Sequence, residues 1–211
     1  MCGIIGSYNY HNTFLLKSLM IESRIRGLRS IGIFNGKEIS ILEYENSDSF
    51  LEKTNRYEFD KIFIGHTRYS TSGNDCQPLL RLGVALAFNG VLTMEDLPMG
   101  VGRTDNDGEF LIDNISKDKR LGEGFPTASY SVIYSKDDKL YFSRNGKRPL
   151  YYFQNGSSIL VASTDSIFVR SGITQSIKCV AGTVYSFDGN LKIERTEEME
   201  DLQNDNIYNW R

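Results

Sequence analysis

The chain has 211 residues, 40% hydrophobic and 24% charged, with a formal net charge of −3. That length suits one domain with a substantial core, and the composition is that of an ordinary soluble globular protein. The charge gives no basis for a nucleic-acid or membrane surface, no apolar run nears the ~20 residues that cross a bilayer, and the start lacks signal-peptide character. Three cysteines, Cys2, Cys76 and Cys179, make an odd number, so no disulfide framework is implied. Only His11 and His66 are present, with no Cys-x-x-Cys pair, which argues against zinc. The expectation is a single cytoplasmic domain over residues 2–211, without metal or cofactor.

Gly3–Tyr8 reads as a buried first strand, with Cys2 at its head. Cysteine is small enough for Met1 to be cleaved, which would leave a thiol and a free α-amine on one residue. An unperturbed α-amine has a pKa near ~8 and a thiol one near ~8.5, so the two exchange a proton close to neutrality. Such a residue is nucleophile and base together. The plainer alternative is a buried cysteine opening an edge strand.

Residues 13–26 follow as a helix, with Phe14, Leu15, Leu19 and Ile25 at roughly helical spacing. Ser30–Phe34 and 38–43 flank Asn35-Gly36, a two-residue hairpin signal. Residues 47–57 read as a short helix started by Ser47 or Asp48. The apolar stretches 61–69 and 83–88 read as central strands. A second main helix is expected at 107–115, with Phe110, Leu111 and Ile115 on one face.

Beyond Thr127 strands and turns dominate, broken at Lys136-Asp137-Asp138, Asn145-Gly146, Asn155-Gly156 and Asp188-Gly189, with a short helix at 164–170. Alternation sends Tyr151 and Phe153 to one face and Tyr152 to the other, so packing explains that aromatic run. The acidic stretch 194–205 reads as a solvated tail. These patterns define an α+β chain.

Several motifs then stand in order: Cys2-Gly3-Ile4, Arg26-Gly27, Gly65-His66-Thr67-Arg68-Tyr69-Ser70-Thr71, Gln77-Pro78, Asn89-Gly90 and Asp107-Gly108-Glu109. Together they resemble the glutaminase domain of the class II glutamine amidotransferases, the branch of N-terminal nucleophile hydrolases that opens with Cys-Gly-Ile. The resemblance runs from Cys2 to about Phe187, with Arg148-Pro149-Leu150 and Val161-Ala162-Ser163 also similar. It implies a four-layer αββα sandwich of the N-terminal nucleophile hydrolase type.

It further implies that Cys2 attacks the side-chain amide of L-glutamine, releasing ammonia and leaving a thioester that water hydrolyses. Asn89 and Gly90 would supply the oxyanion donors, through a side-chain amide and a backbone N–H. Arg68 would grip the substrate α-carboxylate and Asp107 its α-ammonium, with Thr71 lining the pocket and Arg26-Gly27 beside the nucleophile. Read without the resemblance, Asn89-Gly90 is equally a hairpin turn, and Asp107 a cap for its helix.

The chain also departs from the family. Phe88 stands where the family has a histidine before Asn-Gly, and Arg29 where it has an acidic residue. Asp107-Gly108-Glu109 replaces Asp-Ser/Thr-Glu, and the stretch 144–148 is short, so only a structural role is assigned there. His66 is expected to be a hydrogen-bonded core residue rather than a second base.

The expected function is a free-standing glutaminase supplying ammonia to an acceptor enzyme on a separate chain, because no synthase segment follows. The rivals are an amidohydrolase of another γ-glutamyl amide and a catalytically silent regulatory module. Loops 70–80 and 93–104, the second carrying Met94, Leu97, Pro98, Met99 and Val101, are expected to dock a partner or close as a lid.

Overall fold

Two antiparallel sheets face each other, and the chain enters on the central strand of the first. The computed structural model describes residues 1–27, 30–43, 59–69, 76–91, 107–119, 121 and 129–196. Sheet 1 runs in the order β11 (Ile177–Lys178), β9 (Tyr151–Asn155), β10 (Ser158–Ala162), β1 (Gly3–Tyr8), β4 (Ile62–Arg68), β2 (Ser30–Phe34) and β3 (Ile39–Glu43). Sheet 2 runs β13 (Leu191–Thr196), β12 (Thr183–Phe187), β8 (Lys139–Arg144), β7 (Ser129–Lys136), β6 (Val84–Val91) and β5 (Leu79–Arg81).

The core strands are apolar on both faces because each sheet is covered twice. Ile4, Ile64 and Val161 from sheet 1 meet Ala85, Ala87, Ile133 and Phe142 from sheet 2 in the inner layer. On the outside of sheet 1, Ile5, Ile33 and Phe63 pack under α1 (Thr13–Ser23) and α3 (Asp165–Arg170), through Leu16, Leu19, Met20, Ile167 and Phe168. On the outside of sheet 2, Leu86, Phe88 and Val132 pack under α2 (Gly108–Ser116), through Leu111, Ile112 and Ile115. These are the four layers of the αββα sandwich.

Helix α1 starts at Asn12, whose Oδ1 accepts from the Leu15 N–H at 3.1 Å, and gives way to a 3₁₀ turn at Arg24–Arg26. Its buried face differs from the expected one. Leu16, Leu19, Met20 and Ser23 are inward, while Phe14 and Ile25 are 81% and 60% exposed. Apolar residues surround this helix, so spacing alone does not select a face.

The β2–β3 hairpin forms, but Phe34 pairs with Ile39, leaving a four-residue loop instead of a tight Asn-Gly tip. The Asn35 side chain makes the difference, because its Oδ1 accepts from the Lys37 and Glu38 N–H groups at 3.1 and 3.0 Å. The two-residue signal lies instead between β7 and β8, where Asp137 and Asp138 both take positive φ (49° and 57°) and Lys136 pairs with Lys139.

Tyr151 and Phe153 join the outer layer and Tyr152 the inner one, as alternation requires. The acidic stretch begins inside β13, where Glu194 accepts a hydrogen bond from Ser186. The expected helix at 47–57 lies outside the described residues. None of the three cysteines is in a disulfide. Among the described residues no helix is long and apolar enough to cross a membrane, and no cluster of metal-binding side chains forms.

Candidate active site

Cys2 stands at the head of β1, and three neighbouring elements fix its position. Gly3 pairs with Thr67 of β4, and the Thr67 hydroxyl donates to the Ser23 carbonyl at the end of α1 (3.0 Å). On the other side, Ser163 follows β10 and closes the ladder: its Oγ accepts from the Ile4 N–H at 2.8 Å, and its N–H donates to the Ile4 carbonyl at 3.0 Å. From the 3₁₀ turn, Arg26 Nε donates to the Cys2 carbonyl at 3.0 Å. Gly27 then lies directly on the backbone of Thr67 and Arg68. Cys2, Arg26, Gly27 and the end of β4 are thus one packed unit.

Arg68 ends β4 and is only 7% exposed. Strand alternation places it with Ile62, Ile64 and His66 on the inner face of sheet 1. Ser30 lies opposite it in register, and Cys76 is near both, with its Sγ 3.7 Å from Ser30 Oγ and 3.9 Å from Arg68 Nη1. Cys76 is therefore a neighbour of the arginine expected to read substrate. Sequence reasoning gave it no such place.

His66 is fully buried, and burial together with the Arg68 charge pushes its pKa down to about 3. It is a neutral core group at physiological pH and a poor base. Its Nε2 finds no hydrogen-bond partner among the described residues, which corrects the expectation of a hydrogen-bonded histidine.

Asn89 comes from the facing sheet. Tyr8, at the far end of β1, packs edge-on against Phe187 (centroids 5.4 Å apart), and Phe187 pairs with Leu140, which pairs with Ser135. The Cys2 end of β1 therefore faces the opposite end of sheet 2, where Asn89, Ser131 and Arg144 stand side by side in register. Asn89 shares the inner face with Ala85 and Ala87 and is 2% exposed. Its Nδ2 is buried without a partner among the described residues, as is the Oγ of Ser131 beside it.

Asn89-Gly90 is not a turn: β6 continues through it, with Gly90 opposite Tyr130. Phe88 points the other way, into the layer under α2, and its N–H donates to Gln77 Oε1 at 2.6 Å. The aromatic ring thus lies on the face away from Asn89, so the histidine-to-phenylalanine departure does not alter the inner face.

Asp107 occupies the N-cap position of α2, but its side chain makes no capping hydrogen bond. The capping alternative therefore does not describe it. Helix α2 packs against β5 and β6, and its neighbouring acids Glu109 and Asp113 are held by Arg81. Thr71, residues 70–75 of the first loop and the whole of loop 93–104 lie outside the described residues.

Both positive and negative groups act on the head of β1. Partial burial lowers the pKa of the Met1 α-amine; Cys2 opposes that shift, and the Arg26 and Arg148 guanidinium groups add to it. Arg148 belongs to the Arg-Pro-Leu motif that sequence analysis treated as structural. Cys179, by contrast, is buried beneath the β9 end, and burial pushes its thiol up to about 12.

The fold is shared with solved class II glutamine amidotransferase structures. The chain superposes on glutamine phosphoribosylpyrophosphate amidotransferase from B. subtilis, complexed with ADP and GMP, with a TM-score of 0.71 at 21% identity, over 93% of this chain and 49% of that one. The structure of the allosteric regulatory enzyme of purine biosynthesis gives 0.72 at 22%, with the same coverage. A glutamine aminotransferase class-II domain protein from Silicibacter pomeroyi gives 0.58 at 13%, over 93% of this chain and all of that one. In sequence the chain is 28% identical over 199 residues to the amidophosphoribosyltransferase of Methanocaldococcus jannaschii, covering 78% of this chain. It spans 42% of that protein's length. No family model matches.

Proposed function

We propose that this domain hydrolyses L-glutamine to glutamate and ammonia through a thioester on Cys2, and delivers the ammonia to an acceptor enzyme. The observation that carries the reading is Asn89: a carboxamide 2% exposed, its Nδ2 unpartnered among the described residues, on the sheet facing the Cys2 strand. A buried donor left unsatisfied costs about 1–3 kcal/mol, so the fold holds it ready for an acceptor that arrives later.

The chemistry follows from the groups at the site. With Cys2 as first residue of the mature chain, its α-amine takes the thiol proton and Sγ attacks the side-chain amide carbon. The amide oxygen becomes an oxyanion and accepts from Asn89 Nδ2 and the Gly90 N–H. Collapse expels ammonia, which carries away the proton held by the amine. The same amine then takes a proton from water as it opens the thioester. Arg68 holds the α-carboxylate with two parallel N–H donors, and Asp107 holds the α-ammonium.

Glutamate release from free glutamine, compared with release from bulkier γ-glutamyl amides, tests the reading. Glutamine should be the better substrate. Preference for a bulky amide would favour a different γ-glutamyl amidohydrolase, and no release from either would leave a binding module.

A further inference from the structure

We propose that Ser131 is a further catalytic residue of this site, its hydroxyl giving the oxyanion a second side-chain donor beside Asn89. The inference deepens the glutaminase reading and rests on it. Ser131 is fully buried (0% exposed) on β7, with β6 on one side and β8 on the other. Strand alternation sets it on the inner face with Ile133, while Tyr130 and Val132 turn to the layer under α2. Its ladder neighbours are Asn89 and Arg144, so the three side chains form one row across sheet 2.

That row lies under the nucleophile strand. A Cβ on Gly6 would stand 2.7 Å from Ile133 Cγ2 and 3.6 Å from a Leu140 methyl, so β1 crosses sheet 2 at Ile133. From there β1 runs to Tyr8 and Phe187, toward Leu140 and Ser135. The two strands therefore point the same way, and two residues back lead from Gly6 to Ile4 and from Ile133 to Ser131. Facing strands stay within about 30° of each other, so those ~7 Å of travel separate them sideways by less than one strand spacing of ~4.8 Å. Ser131 thus lies beneath the head of β1, with Asn89 one strand to the side.

Ser23, Ser143 and Ser163 are buried as deeply, and each donates to a backbone carbonyl, of Met20 (2.7 Å), Thr183 (3.0 Å) and Ile4 (3.3 Å). Ser131 Oγ has no partner among the described residues, and neither has Asn89 Nδ2. Arg144, on the other flank, directs Nε, Nη2 and Nη1 at the Asn145, Gly146 and Cys179 carbonyls. Cβ atoms directly opposite in a ladder are about 4.5–5.5 Å apart, which lets an amide and a hydroxyl reach one oxygen between them. Two open buried donors side by side fit an acceptor that carries charge. When Cys2 Sγ bonds to the amide carbon, the carbonyl π pair moves onto oxygen, and Asn89 Nδ2, the Gly90 N–H and the Ser131 hydroxyl donate to it. Ser131 keeps its proton throughout. On collapse the C=O bond reforms, the C–N bond breaks, and the nitrogen leaves as ammonia with the proton held by the α-amine.

Ser131→Ala removes the donor, and Ser131→Cys leaves a weak one in similar shape. In Ser131→Ala, kcat for glutamine should fall by a factor of ~10², with KM within about 3-fold of wild type. Ser131→Cys should fall between the two. The γ-aldehyde analogue of glutamine separates chemistry from structure, because Cys2 captures it as a hemithioacetal whose oxygen stands where the oxyanion forms. Its inhibition constant should weaken by roughly the factor lost from kcat/KM, while that of glutamate stays unchanged. Ser131→Ala should also melt no lower than wild type, since a buried hydroxyl without a partner has gone.

Unchanged kcat in Ser131→Ala, or equal weakening of aldehyde and glutamate, would overturn the proposal. So would unfolding of both variants, or a clearly lower melting temperature, either of which assigns the hydroxyl to structure. A wild type that neither releases glutamate nor binds the aldehyde would sink the glutaminase reading and this assignment with it. An active wild type matched by Ser131→Ala would sink this inference alone.

Discussion

A Cβ on Gly27 would lie 2.3 Å from the carbonyl carbon of Arg68 and 2.6 Å from its oxygen. The turn after α1 and the end of β4 therefore meet backbone to backbone, and only a residue without a side chain permits it. This contact ties the Arg26 segment, which holds Cys2, to the strand end that presents Arg68. Gly27→Ala should displace both at once. Its expected destabilisation is about 1–3 kcal/mol, typical of overpacking. KM for glutamine should rise at the same time, as steady-state kinetics alongside thermal melts would show; an unchanged KM in folded variant would separate the contact from substrate reading.

Arg68→Lys tests the carboxylate grip. A lysine keeps the charge but offers one point contact where a planar fork makes two. The loss should be large on glutamine and much smaller on a glutamine analogue lacking the α-carboxylate. Equal losses on the two would make Arg68 a structural residue of the inner face.

Asn89→Ala should act on turnover. Removing one oxyanion donor lowers kcat by a factor of ~10² to 10³, with a modest change in KM, because the bond strengthens as charge develops on oxygen. Loss of the Asn89 Nδ2 also removes an unsatisfied buried donor, so the variant should melt no lower than wild type by more than its lost packing. A rise in KM without loss of kcat would place Asn89 in ground-state binding.

His66 predicts a pH dependence of stability. Its pKa in the folded chain is about 3, depressed by burial and by Arg68, against an ordinary value of 6.5. Between those values the unfolded chain binds a proton that the folded chain refuses, so stability falls as pH drops from 6.5 toward 3. The slope approaches about 1.4 kcal/mol per pH unit for this one group. His66→Gln should flatten that part of the curve in urea titrations; an unchanged slope would assign the acid sensitivity to other groups.

The elements that sequence resolved best were those with one dominant signal. The first strand, the short helix after Ala162 and the split of Tyr151 and Phe153 from Tyr152 all follow from alternation and punctuation that nothing else contradicts. Helix α1 forms where expected, but its buried face differs because Leu15, Leu16, Leu19, Met20 and Ile21 satisfy several faces, and only the sheet beneath decides among them. Asn89-Gly90 and Asn35-Gly36 show the same limit for turns. One pair is carried inside a strand by its ladder to β7, and the other is diverted by its own asparagine side chain. At the site, the motif residues were visible one by one, but the place of Cys76 beside Ser30 and Arg68 depends on β2 pairing with β4. Spacing along the chain carries no sign of that.

The central claim is that Cys2, as the first residue of the mature chain, is the nucleophile. Intact-mass measurement and peptide mapping after reaction with a glutamine-like diazo ketone test it directly. Active protein should begin at Cys2 and take one adduct, on its sulfur, with glutamine protecting. Cys179 should stay unlabelled, its thiol being buried and pushed up to about 12. An adduct on Cys76 in place of Cys2, or Met1 fully retained in active protein, would contradict the account.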